Sequence, residues 1–164
     1  MCHLAAVLRA ASATVLTGGC ACLGTATASA DPTDTLAASL SKGYSSSNCK
    51  PVQIDGTVAA IECGQNFDPN GPVWARYLLF SNSTDLASSF TTSIGSLQQG
   101  NCGGAKSPTT WQVGFNPSGG QEACGTYHGQ AEIIWTTDAK NVLSVLRSSG
   151  GDVSSLHSWW SGSP

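Results

Sequence analysis

Apolar positions recur along this chain at two different spacings, and the alternation between them lays out the elements. Pro32-Thr33-Asp34 opens a short helix carrying Leu36, Ala37 and Leu40 on one face. Lys42-Gly43 closes it, since glycine suits the left-handed position past a helix end. Period-two stretches follow at Pro51–Asp55 and Thr57–Cys63, joined by Asp55-Gly56, a two-residue hairpin signal. Asp68–Pro72 is a strong turn, and Val73–Phe80, rich in aromatic and aliphatic residues, is the clearest strand. Leu86, Phe90, Ile94 and Leu97 then recur at helical spacing behind Asn82-Ser83-Thr84, predicting an amphipathic helix over Thr84–Leu97.

The second half reads similarly. Strands are predicted at Thr109–Phe115, Gln121–Tyr127 and Ala131–Thr136, with turns at Asn116–Gly120 and His128-Gly129. Asp138 is expected to cap a helix bearing Val142, Leu143 and Leu146. A last helix starts at Asp152 and carries Val153, Leu156, Trp159 and Trp160. The segment 75–82 aligns without gaps on 131–138, and Leu86, Ala87 and Phe90 then fall on Val142, Leu143 and Leu146. The expected fold is therefore α+β: an antiparallel sheet of about six strands with helices packed on one face, arranged as two β-β-β-α pseudo-repeats.

The N-terminal segment changes the picture of where this domain lives. Residues 1–30 contain one cation, Arg9, no acid, and a run of small and apolar residues ending Ala28-Ser29-Ala30 before Asp31-Pro32. Small residues at those two positions suit a signal peptidase, so a cleaved signal with release at Ala30-Asp31 is expected, leaving 31–164 as one secreted domain. Thr17 and Gly19 occupy the positions three before Cys20 and Cys22, where a lipid-anchoring signal wants an aliphatic residue. The whole chain has seven basic and ten acidic residues and a net charge of −3. Loss of Arg9 takes the domain to −4, which argues against nucleic acid as a partner.

Four cysteines remain past the signal, and a short secreted chain with an even number reads as disulfide-stapled. Cys49–Cys63 would tie the ends of the first hairpin, and Cys102–Cys124 the ends of one around Asn116–Gly120. No Cys-x-x-Cys knuckle points to zinc, so neither metal nor cofactor is expected.

Catalytic motifs are missing. The sequence has no Gly-x-Ser-x-Gly elbow, P-loop, His-Glu-x-x-His or dinucleotide fingerprint, and no kinase signature. His128 stands in a predicted turn tip. A small hydrolase using His128 with Glu122 or Asp138 is the enzymatic alternative. Adjacent Trp159 and Trp160 cannot face the same way on a helix, so one is expected to anchor the sheet and the other to lie near the surface. Trp159, Trp160 and His128 are thus the candidate ligand contacts of a non-catalytic domain. The partner expected is an extracellular small molecule, wall component or protein, met by a monomer.

Several segments together carry a resemblance: Ala28–Pro32, Gly43-Tyr44 leading to Cys49, Arg76–Phe80, Cys102 with Cys124, Trp135-Thr136, and Leu156 to Trp160. In these the chain resembles small secreted proteins of mycobacteria and related actinobacteria, which are similar to the extracellular portions of actinobacterial serine/threonine protein kinases. The resemblance implies an extracytoplasmic sensor-like or interaction module and carries over no catalytic residue.

Overall fold

The computed structural model describes residues 31–112 and 118–162. The expected signal, residues 113–115 of the strand expected at Thr109–Phe115 and residues 116–117 of the turn expected at Asn116–Gly120 lie outside the described residues. Three helices, α1 (Pro32–Ala37), α2 (Ser83–Ile94) and α3 (Val153–Ser161), accompany ten strands. These are β1 (Cys49–Val52), β2 (Ala59–Cys63), β3 (Trp74–Leu79), β4 (Gln98–Gln99), β5 (Asn101–Cys102), β6 (Ala105–Lys106), β7 (Thr109–Trp111), β8 (Gly120–Tyr127), β9 (Gln130–Thr137) and β10 (Val142–Arg147). Eight strands form one antiparallel sheet in the order β1-β2-β3-β10-β9-β8-β4, with β7 sharing the β8 edge. The α+β class and large antiparallel sheet are as the sequence predicts, though the sheet is wider than the expected six strands.

Three expectations are corrected. The helix predicted after Asp138 is a single 3-10 turn, Asp138–Lys140, followed by strand β10. Asn141 takes a left-handed conformation, φ +54°, which stops a helix there. Val142 to Leu146 are all buried because β10 is covered on both faces, and such a strand loses the period-two signature. The pseudo-repeat fails at the same place, since its second helix is this strand. Nor do the helices share a face. Leu36 of α1 and Leu156 and Trp160 of α3 pack on one side with Tyr77, Ile133, Trp135 and Leu146. Leu86 and Phe90 of α2 pack on the other with Phe80, Ile134, Leu143 and Val145.

Turn chemistry explains the ends. His128 and Gly129 have φ of +50° and +80° between the paired residues Tyr127 and Gln130, the conformation of a tight two-residue hairpin. Asp55-Gly56 does turn the chain, with Thr57 N–H donating to the Ile54 carbonyl at 3.2 Å. Its loop is wider than two residues, because the last β1–β2 pair is Val52 with Ala60. The first helix ends at Ala37, short of Leu40.

Both expected disulfides form. Cys49 and Cys63 are direct cross-strand partners. Cys102 has a different setting from the one anticipated: it lies on the β5–β6 hairpin, which the bridge ties to Cys124 on β8, while β7 is the strand that pairs with β8. A single register row, Cys49, Cys63, Ala75, Leu146, Ile133 and Cys124, runs across the first face from one staple to the other.

The adjoining rows carry the aromatic core of that face. Tyr44, Tyr77, Trp135, Trp160 and Trp111 make successive edge-to-face contacts, with centroids 5.7–6.3 Å apart, the geometry that aromatic quadrupoles favour. The buried polar ends are satisfied. Ser41 N–H donates to the Tyr77 hydroxyl, and the Trp111 indole N–H to the Thr136 carbonyl. Trp160, only 6 % exposed, closes this chain from α3. Trp159 is half-buried, and its indole N–H donates to Asp68 at 2.9 Å. Trp160→Ala should therefore cost about 3–5 kcal/mol in denaturant unfolding, the range for large-to-small core changes. Trp159→Ala should cost much less. Equal, large losses would mean that both are core.

Candidate functional site

The second face of the sheet is only partly covered by α2. Past the end of that helix, period-two alternation brings polar and aromatic side chains of five strands to the surface. One register row is Lys50, Glu62, Arg76 and Val145, and the next is Trp74, Arg147 and Glu132. Tyr127 joins them from the end of β8. The Arg76 guanidinium lies 4.9 Å from the Trp74 ring centroid, and Arg147 lies 4.8 Å from Trp74 and 4.6 Å from Tyr127. These are cation–π distances. Arg147 also donates to Glu132 from Nε at 2.7 Å, and Arg76 donates to Glu62 at 2.6 Å.

Each arginine is thus fixed by a carboxylate on one side and an aromatic face on the other. Glu132 is buried and satisfied by Arg147, whereas Glu62 and Arg76 are about one-third exposed. The buried Nε of Arg76 has no partner among the described residues. A hollow of about 230 Å³ opens here, lined by Trp74, Arg76, Tyr127, Arg147 and the α2-end serines Ser93 and Ser96. A second hollow of about 360 Å³ lies on the other side of Trp74, lined by Asn48, Lys50, Glu62, Gly64 and the first disulfide. Trp74 is the ridge shared by the two. Both arginines of the described residues serve this face. The pattern suits a polar, planar or anionic ligand: rigid donors at the guanidinium edges, with an aromatic wall between them.

The residues expected to matter are placed elsewhere. His128 is exposed at its hairpin tip, against the Tyr127 ring at 4.2 Å. Glu122 lies at the other end of β8, six residues away, or about 20 Å along an extended strand. Asp138 accepts a hydrogen bond from the Thr136 hydroxyl at 2.6 Å. The structure thus keeps His128 apart from Glu122. It is His157 of α3 that meets Glu122, Nε2 to Oε2 at 3.6 Å, beneath the first-face helices. Burial raises the Glu122 pKa, and the nearby His157 partly offsets the rise. Trp160 is core, and Trp159 is half-buried with its indole N–H donating to Asp68.

Trp74 and Arg76 carry a local signal, being two apart on the best-predicted strand. Arg147 carries none, because its strand reads as a helix. No family model matches this chain, and neither a curated protein nor a solved structure is similar to it.

Two carboxylates hold α3 in place and give it an acid sensitivity. Hydrogen bonds from the Ser154 and Ser155 side chains and the Ser155 N–H lower the Asp152 pKa to about 2. Asp68 is also lowered, chiefly by the Asn70 N–H and then by the Trp159 indole. A carboxylate with a depressed folded pKa stabilises fully above its unfolded value, about 3.9, and loses that contribution as pH falls through the folded value. Thermal melts between pH 5 and pH 2 should thus fall less steeply for Asp152→Asn, which still caps but does not titrate. Parallel curves for the two proteins would remove Asp152 from the acid response.

Proposed function

We propose that this chain is an exported, non-catalytic binding module, released by cleavage at Ala30-Asp31, and that it holds its ligand on the arginine–aromatic face around Trp74. The observation that carries the reading is the pair of hollows flanking Trp74, with Arg76 and Arg147 pre-set against its ring. Binding sites gather a few fixed polar groups around an apolar wall, and a guanidinium already held by a carboxylate and a ring loses little freedom when a ligand arrives. Two disulfides accord with an oxidising compartment outside the cytoplasm. No helix of the described residues is long and apolar enough to cross a membrane. The resemblance to sensor portions of actinobacterial kinases supports the same class of role. A wall component bearing carboxylates is the ligand chemistry that complements two arginines and Lys50 in a chain otherwise acidic.

Co-sedimentation with isolated, protein-free cell-wall material tests this. The wild-type chain should pellet with the wall. Trp74→Ala and Arg147→Ala should each weaken retention by about 10- to 100-fold, the scale on which single hot-spot side chains act. Wild-type protein that stays in the supernatant, or variants that pellet as well as wild type, would overturn the assignment of this face.

A further inference from the structure

A second cluster of reactive side chains sits on the opposite face of the sheet and has no part in the binding surface. Cys102, Cys124 and Glu122 bring their donor atoms within 4.8 Å of one another, all buried. His157 adds a fourth, its Nε2 standing 3.6 Å from Glu122 Oε2. In the disulfide form these last two atoms are buried and make no hydrogen bond. A carboxylate and an imidazole turned toward each other, without a shared hydrogen bond, beside a sulfur pair, are a costly arrangement for a merely structural core. Backbone detail keeps the space open. Gly103 has φ +55°, and a Cβ there would stand 3.0 Å from His157 Cε1.

Two sulfurs, an imidazole and a carboxylate are a donor set suited to zinc. Bonds of about 2.3 Å to sulfur and 2.0–2.2 Å to nitrogen and oxygen require donor-to-donor edges of about 3.3–3.8 Å. The Glu122–His157 separation already meets that requirement, whereas the His157 imidazole stands outside the 4.8 Å cluster of the other three donors and must move in toward the sulfurs. The sulfurs must move apart. Cys124 is fixed in β8, whereas Cys102 lies on the two-residue strand of a hairpin whose tip, Gly103 and Gly104, is exposed. The other staple, Cys49–Cys63, has no such third donor group among the described residues.

We propose that the reduced form of the chain binds one zinc ion through Cys102, Cys124, Glu122 and His157, so that disulfide and metal are alternative staples of one site. A dithiol supplies two electrons and two protons to the Cys102–Cys124 bond and closes to a disulfide itself. The two thiols formed then release their protons to water as the zinc–sulfur bonds form.

Cobalt(II), added to the full-length mature chain held reduced by a phosphine, reads this site directly. The reduced chain should take up one cobalt with the visible bands of tetrahedral coordination and a thiolate charge-transfer band, and zinc should displace it. The oxidised chain should show neither band. Glu122→Gln and His157→Gln should each weaken cobalt binding by at least 10-fold, since even outer-shell partners of a metal are worth that much. Cys49→Ser with Cys63→Ser leaves the site whole and should bind as wild type does. The proposal is overturned if the reduced chain shows no tetrahedral bands, whether folded or unfolded. It is equally overturned if the bands survive Cys102→Ser with Cys124→Ser, or if neither Glu122→Gln nor His157→Gln changes the affinity. Because this site and the Trp74 face lie on opposite sides of the sheet, failure of one leaves the other standing.

Discussion

Strand β10 is hydrogen-bonded along its whole length to β3 on one side and β9 on the other, and the two halves of the molecule meet through it. One half is the Cys49–Cys63 hairpin extended by β3. The other is the β8–β9 hairpin with the Cys102–Cys124 staple on it. Neither disulfide crosses between the halves, so the join rests on non-covalent pairing and on what packs above and below. Every one of Val142 to Leu146 is buried, with apolar residues pointing to both faces. That burial is what lets the late segment of the chain insert between an early strand and its own neighbour. Pairing of this kind joins residues far apart in sequence and recovers its ordering entropy only once the sheet is complete.

The insertion also creates the division of labour between the faces. On the first face, the row between the two staples and the aromatic chain from Tyr44 to Trp111 are sealed by α1 and α3. On the second face, α2 seals only the part over Ile134 and Leu143. Arg147 then reaches Trp74, Tyr127 and Glu132 because β10 carries it between β3 and β9. Without that strand in that place, Arg76 and Arg147 would not flank one ring. The buried Glu122–His157 contact likewise exists because α3, which follows β10 directly, folds back over the β8 side of the sheet.

Much of this was legible from local pattern. The His128-Gly129 turn, the best strand around Tyr77, the α2 stripe of Leu86 and Phe90, and the division between Trp159 and Trp160 all follow from spacing within a few residues. Cys49–Cys63 formed for the reason expected, as opposite members of a hairpin. Cys102–Cys124 formed for another, since its hairpin is β5–β6 and its target strand pairs elsewhere. Where the reading failed, long-range burial had replaced a local signal. Val142, Leu143 and Leu146 fit a helical stripe as well as a strand buried on both sides, and only their neighbours decide between the two. The Trp74 face draws on β1, β2, β3, β8, β9 and β10 at once, so no single segment announces it. Glu122 and His157 are brought together by tertiary packing alone.

Residue-resolved hydrogen exchange of the native chain tests the central place of β10 most directly. The account predicts that the amides of Val142 to Leu146, with their partners in β3 and β9, exchange only through global unfolding and set the upper limit of protection in the molecule. Exchange of the β10 amides ahead of those in β1 or α2 would contradict it, because the two halves would then be holding together by some other means.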